Sequence, residues 1–392
     1  MKTFRTLILL LCVLCCSQIM TQARDTDEAL LVSHVEWSQN PSEILVTLHE
    51  GGLTVIDPAT RLIIMEVLGE LTGPIEDAAL QPNGSRIGTT HRFTGLNIWD
   101  TDTGSLVYSD SDLVFAWQVA WSPDGQYLFA SSIDEMVMRD AVGSPLFAIP
   151  GAPEDVPHVA FSPDGTRLLL SFSPKFEVWD VTSRQMLVRN LTPGLIQSIE
   201  WSADGTRFLA ANIDNTREGR FYTIHIINPM TGESLRVYSG FSSQLTAALW
   251  NPDETQILAT SVDGTAYLVD GESGSITPIF TTNVPLLSAD WSPYGGQVAI
   301  GAPANSETMQ SMDGSDANLA DLPLQIVVPD PSLERLRSIA ALCDAPLPLP
   351  DAAQADQLRE FVAQVEALPV GSVPAACAAD LIAVAEVIPQ EQ

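Results

Sequence analysis

Short apolar runs recur along the chain at a nearly constant interval, and each is followed by a similar polar turn. A run ends in a large apolar residue, and a turn of the Ser-Pro-Asp-Gly type follows, as at residues 122–125. Seven such marker residues lie 40 to 49 positions apart: Trp37, Leu80, Trp121, Phe161, Trp201, Trp250 and Trp291. The longest interval contains the polar insertion at residues 215–219. A regular interval of this length is typical of a repeat architecture.

Each repeat predicts four short β-strands. The marker run forms the first strand, and in the turn that follows Pro sets φ while Gly supplies the left-handed position. A second run follows, as at residues 127–130, then a third that ends in Asp, and then a fourth, as at residues 105–108. Such a unit is an antiparallel meander, and seven of them arranged radially make a propeller. We therefore predict an all-β fold, a seven-bladed β-propeller of four-stranded antiparallel blades over residues 24–328.

The third run of two repeats ends in Trp-Asp, at Trp99-Asp100 and Trp179-Asp180. The other repeats carry degenerate pairs, namely Ile56-Asp57, Arg139-Asp140, Asn228-Pro229 and Val269-Asp270. The unit resembles the WD-repeat family, whose blades of about 40–45 residues often end in this pair. The resemblance implies a propeller. The family's Gly-His pair is absent, so its Ser/His/Asp/Trp network is expected to be incomplete, with Asp134 and Asp263 near the Asp position.

The Ser-Pro-Asp-Gly turn is also shared with bacterial periplasmic propellers of the Tol type, so a bacterial source is expected. In the last blade the predicted third strand covers residues 324–328, and residues 28–32 are expected to add the fourth. Closing the ring in that way protects exposed strand edges. Residues 302–322 are polar without periodicity and predict a mobile loop.

Beyond residue 328 the pattern becomes helical, and residues 329–392 predict a C-terminal tail of three helices. Ser332 is placed to cap the first helix, and Pro374 opens the third. In the second helix the apolar residues follow the i, i+3, i+4, i+7 spacing of one face. Three helices of this length are too few and too short to bury a good core alone.

Residues 1–23 have the features of a secretory signal peptide. Lys2 and Arg5 precede an apolar stretch over residues 7–20, and small residues precede a predicted cut after Ala23. The stretch is short for a membrane span, although an uncleaved anchor stays open, as does a lipoprotein that uses Cys15 or Cys16. The prediction is a secreted or periplasmic protein with no stable membrane insertion after cleavage.

Removal of the signal peptide leaves two of the five cysteines, Cys343 and Cys377. An even number of cysteines in an exported chain predicts a disulfide. This bond would connect the first and third helices of the tail. The alternative is a pair of buried free thiols.

Charge narrows the possible partners. The 392 residues include 18 Lys and Arg against 49 Asp and Glu, a formal net charge of −31. Such a surface repels phosphate backbones and is a poor match to anionic lipid, which excludes nucleic acid as a partner. Hydrophobic residues make up 45% of the chain, enough for a large core, and exclude a disordered protein.

Candidate catalytic groups are few. The sequence contains no G-x-S-x-G elbow, P-loop, H-E-x-x-H or dinucleotide fingerprint, so we assign no catalytic residue and no cofactor. His34 and His158 occupy equivalent repeat positions and are expected to be structural. His49 and His91 are predicted in turns near the channel mouth, where Asp134 or Glu50 could complete a metal site. These residues keep open the alternative function, a propeller hydrolase or lyase with a channel-mouth active site, with or without an assisting metal.

The scarce basic residues and nearby aromatics indicate a binding face. The turns between second and third strands share one face with the connections between blades. The candidate binding residues on this face are Arg92, Phe93, Phe115, Trp117, Lys175, Arg217 and Arg220. Aromatic side chains beside Arg on a rigid surface are typical of interaction hot spots. The first hypothesis is a non-catalytic scaffold that binds a protein, peptide or glycan of anionic or mixed charge. A third, weaker idea makes the helical tail a docking or membrane-proximal element.

Overall fold

The computed structural model describes most of the predicted propeller and tail. The described residues are 32–38, 43–48, 52–58, 62–67, 74–82, 84–149, 158–172, 175–192, 194–217, 219–301, 324–329, 332–343, 345, 349–350, 355–368 and 372–388. The predicted signal peptide (1–23) and the predicted loop (302–322) therefore lie outside the described residues, as do His49 and Glu50.

Seven antiparallel sheets follow one another along the chain. Blade one comprises β1 (Val32–Trp37), β2 (Ile44–Leu48), β3 (Gly52–Asp57) and β4 (Leu62–Val67), and blade two β5 (Ile75–Leu80), β6 (Arg86–His91), β7 (Gly95–Asp100) and β8 (Leu106–Asp110). Blade three comprises β9 (Gln118–Trp121), β10 (Tyr127–Ser131), β11 (Met136–Asp140) and β12 (Pro145–Ile149), and blade four β13 (His158–Phe161), β14 (Arg167–Phe172), β15 (Lys175–Asp180) and β16 (Gln185–Leu191). Blade five comprises β17 (Leu195–Trp201), β18 (Phe208–Thr216), β19 (Gly219–Ile227) and β20 (Ser234–Phe241), and blade six β21 (Leu245–Trp250), β22 (Gln256–Ser261), β23 (Thr265–Asp270) and β24 (Ile276–Thr281). Blade seven contains β25 (Ala289–Trp291), β26 (Val298–Gly301) and β27 (Leu324–Val327) in the described part of the chain.

The predicted seven-bladed all-β propeller is confirmed. The first strand of every blade contacts the first strand of the next, and β1 contacts β25 and β26, which closes the ring. Between neighbouring blades lie apolar clusters, such as the one that joins Leu209 of blade five to Trp250 and Ile257 of blade six. The marker residues therefore have a common role, because each ends an inner strand and its large side chain packs between two sheets.

The Ser-Pro-Asp-Gly turns are held by their own carboxylates, as the turn chemistry predicts. In blade three, Ser122 Oγ donates to Asp124 Oδ1 at 2.6 Å, and the Gln126 N–H donates to the same oxygen at 3.0 Å. Gly125 has φ +67°, a conformation that favours glycine. Blades four and five repeat the arrangement with Asp164 and Asp204. These turns connect strands one and two of each blade and open on one face, which we call the lower face.

Inner strands have one edge that no neighbouring strand covers, and its N–H groups need acceptors. In three blades the residue before the marker supplies a carboxylate to the next blade. Glu36 accepts from the Leu80 N–H at 2.6 Å, and Glu200 from the Trp250 N–H at 2.6 Å. Asp290 of blade seven accepts from the Trp37 N–H at 2.7 Å. The junction between the last and first blades therefore uses the same contact as two junctions inside the ring.

The expected fourth strand of blade seven falls largely outside the description. Of residues 28–32, only Val32 is described, and it begins β1 of blade one. Gly301, the last residue of β26, lies so close to this strand that a Cβ on it would approach Val32 Cγ1 to 2.6 Å. The first and last blades are therefore in direct contact at this point.

In the described part of the chain, three helices follow the propeller: α1 (Leu333–Leu342), α2 (Ala355–Glu366) and α3 (Ala375–Val387). Ser332 caps α1, its side chain accepting from the Arg335 N–H at 3.1 Å. The helical core, which includes Phe361 and Leu381, also contacts Tyr294 of blade seven. The propeller thus completes a core that three short helices could not form alone. Among the described residues, no helix is long and apolar enough to cross a membrane.

Candidate interaction surface

The face opposite the lower face, which we call the upper face, carries the predicted binding residues. It is formed by the turns between strands two and three and by the connections from each fourth strand to the next blade. Two of these segments in blade two, residues 92–94 and 111–117, bring together four predicted residues. We call Arg92, Phe93, Phe115 and Trp117 the Phe93 patch.

Aromatic rings and one guanidinium form this patch. Phe93 is 67% exposed. Its ring centroid lies 6.1 Å from that of Phe115, in an edge-to-face arrangement. The Arg92 guanidinium carbon stands 5.3 Å from the centroid of Trp117. Both contacts are favourable geometries for aromatic groups.

The backbone holds the Phe93 patch in place. The Phe115 N–H donates to the Arg92 carbonyl at 2.9 Å, which ties the two segments together. Phe115 has φ +55°, an uncommon conformation for a non-glycine residue that persists where the surroundings enforce it. A Cβ on Gly95 would lie 1.9 Å from the Asp110 carbonyl oxygen, so only glycine allows this close approach. These contacts therefore fix the backbone of the segments that carry the aromatic side chains.

Charge on the patch is balanced rather than positive. Arg92 Nε donates to Glu76 Oε1 at 3.0 Å, so the guanidinium has a carboxylate partner. The other predicted basic residues lie on different blades. Lys175 begins β15 of blade four, and Arg217 and Arg220 lie exposed in the hairpin between β18 and β19 of blade five. The structure thus divides the seven predicted residues between the Phe93 patch and a basic group two to three blades away.

The prediction that His91 lies in an open turn is wrong. His91 is the last residue of β6 and is 1% exposed. Its Nε2 lies 2.9 Å from Thr89 Oγ1, which accepts from Trp99 Nε1 at 3.0 Å. Strand β6 extends further than the turn signals indicated, so this side chain enters the blade. Asp134 lies exposed in its turn, as expected.

Candidate metal ligands do not converge in the part of the chain that the structure describes. Over the described ranges, no group of three or more His, Cys, Asp or Glu side chains is arranged to hold a metal ion. Asp263 accepts from Ser242 Oγ at 3.0 Å and from the Thr265 N–H at 3.0 Å, so it supports its own turn.

Sequence reasoning missed a buried polar network in blade five. His225 Nε2 lies 3.1 Å from Asp214 Oδ2 and His225 Nδ1 lies 2.9 Å from Ser234 Oγ. Thr223 Oγ1 donates to the same Asp214 oxygen at 2.9 Å. The available signal was the two-residue spacing of Thr223 and His225 in an otherwise apolar strand, which places both on one face. Blade five therefore contains a polar network of Asp214, Thr223, His225 and Ser234.

Acidic side chains of the inner strands face one another around His34. His34 Nδ1 lies 3.6 Å from Asp77 Oδ1, and His34 Nε2 lies 3.6 Å from Glu36 Oε2. Burial, together with the charge of Glu36, raises the pKa of Asp77 to about 6 and that of Asp290 to about 7. Burial also raises the pKa of Glu200 well above its usual value. In contrast, burial lowers the pKa of His158 to about 4.

These shifts predict that the protein is more stable at pH 5 than at pH 8. The folded state binds protons on Asp77, Asp290 and Glu200 more tightly than the unfolded chain does. Their contribution to the free energy of unfolding is therefore complete below about pH 4 and is lost as the pH rises toward 7. His158 acts oppositely, because its folded form resists protonation between about pH 6.5 and 4. We expect Tm to fall by a few degrees between pH 5 and pH 8.

Thermal unfolding followed by circular dichroism at the two pH values measures this difference. Asp290→Asn removes one of the titrating groups but keeps an acceptor for the Trp37 N–H, so it should reduce the pH dependence. An unchanged Tm from pH 5 to pH 8 in the wild-type protein would contradict the assignment.

Comparison with known proteins agrees with the architecture. The family model described as "WD domain, G-beta repeat" matches residues 104–138 and 232–270. The β-propeller domain of Cps50 (Swd1) from Myceliophteria thermophila superposes with a TM-score of 0.59 at 12% sequence identity, over 70% of this chain and 93% of that one. Among curated proteins, none matches this sequence. Repeat spacing, blade topology and these matches together make this chain a WD-repeat-like seven-bladed β-propeller.

Proposed function

We propose that this protein is an exported, non-catalytic scaffold that binds another protein or a peptide through the Phe93 patch. One observation carries the proposal: a large aromatic ring, 67% exposed, is held rigidly on the upper face by a second ring and by backbone hydrogen bonds. WD-repeat propellers generally mediate protein interactions, which supports the same class of function.

Physical reasons favour this patch over the basic group on blades four and five. An aromatic ring already fixed in position loses little conformational entropy when a partner covers it, and it buries a large apolar area. Exposed arginines on a hairpin contribute less binding free energy, because their charges are hydrated and screened by salt. The partner is therefore expected to present an apolar or aromatic side chain to Phe93 and a polar rim to the Arg92–Glu76 pair.

Replacing Phe93 by alanine is expected to weaken partner binding about 10–30-fold, the loss typical of an aromatic hot spot. Leu62→Ala is the matched control. Leu62 is 65% exposed, but it begins β4 and lies toward the lower face. The partner is captured by the wild-type protein from the extracytoplasmic fraction of the source cells, and its affinity for the three proteins is then measured by surface plasmon resonance.

A Phe93→Ala protein that binds as tightly as both the Leu62→Ala protein and the wild type would exclude the Phe93 patch as the binding site. Loss of binding in both would indicate a general effect on folding, which the unfolding midpoints of the variants would reveal. The expected result is a loss in Phe93→Ala alone, with midpoints equal to that of the wild type.

Export is part of the proposal and rests on the pattern of residues 1–23. We expect the mature protein to begin at Arg24 and to be recovered outside the cytoplasm. N-terminal sequencing of protein from fractionated cells measures both. A cytoplasmic protein with an intact N-terminus would refute this part and leave the binding patch unaffected.

A further inference from the structure

The first turn of blade seven lacks the carboxylate that its counterparts use. In blades three, four and five an Asp accepts from the Ser hydroxyl two residues before it and from the N–H two residues after it. Blade seven has Ser292 and Gly295 at the equivalent positions, but Tyr294 replaces the Asp. Without another acceptor, the Ser292 hydroxyl and nearby N–H groups would be unsatisfied in a buried place, which is costly.

Asp380 of helix α3 supplies the missing carboxylate. Ser292 Oγ donates to Asp380 Oδ2 at 2.8 Å, as Ser122 does to Asp124 in blade three. The Gly296 N–H, two residues after Tyr294, points toward the same carboxyl and lowers its pKa, although burial raises that pKa overall to about 6. The Tyr294 N–H at 3.1 Å and Gln297 Nε2 at 3.2 Å complete the contacts of a side chain that is 1% exposed. A residue from the tail thus accepts the serine hydroxyl bond that the turn Asp accepts elsewhere, and it also accepts from the backbone of the same turn.

A second departure from the repeat makes room for Asp380. The position two residues after the turn Asp is Gln126, Thr166 and Thr206 in blades three, four and five, but Gly296 in blade seven. A Cβ on Gly296 would lie 2.8 Å from the Asp380 Cβ and 3.0 Å from its Cγ. The two departures are complementary, because Tyr294 provides no carboxylate at the turn and Gly296 leaves space for the Asp380 side chain.

Helix α1 supplies a second group of this kind, the guanidinium of Arg335. In blade four, Arg167 Nη2 donates to the carbonyl of Gly205 in the next blade at 2.8 Å. Blade six has Gln256 at that repeat position, and Arg335 instead donates to the Gly295 carbonyl at 3.0 Å. Arg335 is 4% exposed and pairs with Asp253 of blade six, Nη1 to Oδ2 at 2.6 Å. The tail is thereby joined to two adjacent blades of the lower face.

We propose that the helical tail acts as a latch for the last blade by supplying two groups from outside the repeat. Asp380 supplies the turn carboxylate that blade seven lacks, and Arg335 supplies the interblade arginine that blade six lacks. Blade seven carries the contacts that close the ring, through Asp290 to Trp37 and Ser288 to the Val35 N–H. Docking of the tail therefore stabilises the junction between the last and first blades, and its release loosens blade seven before the other blades.

Hydrogen–deuterium exchange of the full chain tests the latch in two variants with opposite expected results. Asp380→Ala leaves the turn without a carboxylate, so amides in the tail and in residues 289–301 should both exchange at least tenfold faster. Tyr294→Asp with Gly296→Thr gives blade seven a turn like those of blades four and five and excludes Asp380. In this double variant the tail should exchange faster while residues 289–301 keep wild-type protection.

Two controls complete the test. Glu386→Ala changes an exposed acidic residue of the same helix α3 and should leave exchange unchanged. Asp380→Asn keeps the size and one acceptor, so it should give a smaller acceleration than Asp380→Ala, and it serves if the alanine variant does not fold. The proposal is wrong if either Asp380 variant loosens the tail alone, with residues 289–301 as protected as in the wild type. It is also wrong if the double variant retains a fully protected tail.

Discussion

Arg139→Ala is expected to lower the free energy of unfolding by about 3–5 kcal/mol, the usual loss when one partner of a buried ion pair is removed. Arg139 occupies the position where two other blades carry the Trp of the Trp-Asp pair, and it is 3% exposed. Its guanidinium pairs with Asp110 of blade two and donates to Tyr108 Oη at 2.9 Å and to the Gly143 carbonyl at 3.0 Å. The alanine variant leaves these acceptors without a donor and leaves a gap between blades two and three.

Chemical denaturation of the variant and the wild type measures this loss. Arg236→Ala is the control, because Arg236 is exposed, lies 5.0 Å from the ring of Tyr238, and bonds the Glu272 carbonyl. An exposed contact of this kind contributes less than about 1 kcal/mol. Equal losses in the two variants would show that the buried pair does not hold blades two and three together.

Breaking the disulfide between Cys343 and Cys377 is expected to destabilise the tail by about 3–4 kcal/mol in the chain-entropy model. The structure places the two residues with a Cα–Cα distance of 6.2 Å, within the range of a disulfide, and they are 34 positions apart in sequence. Cys343 follows α1 and Cys377 lies in α3, so the bond would hold together the two helices that supply Arg335 and Asp380.

Intact mass before and after reduction shows whether the bond is present, since reduction adds two hydrogens. Unfolding of the tail, followed by exchange of its amides with and without reductant, then measures the stabilisation. A variant with both Cys343→Ser and Cys377→Ala should show no effect of reductant. A wild-type mass that reduction leaves unchanged would mean that two free thiols are present.

Much of the fold could be predicted from sequence because its signals are local. The marker residues and the Ser-Pro-Asp-Gly turns recur within each repeat, so the strands and the blade number follow from patterns a few residues long. The tail helices follow from their apolar spacing and from the Ser332 cap. The Phe93 patch was predicted only as a set of residues on one face. The pairing of Arg92 with Glu76 joins the residue after β6 to a residue of β5, so it depends on how these two strands lie side by side.

Other features depend on contacts between distant segments. Asp380 reaches Ser292 across 88 positions, and no pattern around either residue indicates the other. His91 was expected in an open turn, but pairing of β6 with β7 extends through it and buries its ring.

Sequence alone determined the repeat, its strands and the tail helices, because turn chemistry and apolar spacing act over short distances. Only the tertiary structure decided which side chains occupy the spaces between blades and beneath the tail. Each such space is bounded by residues from separate segments, and a buried donor or carboxylate there is stable only when the opposite segment supplies its partner.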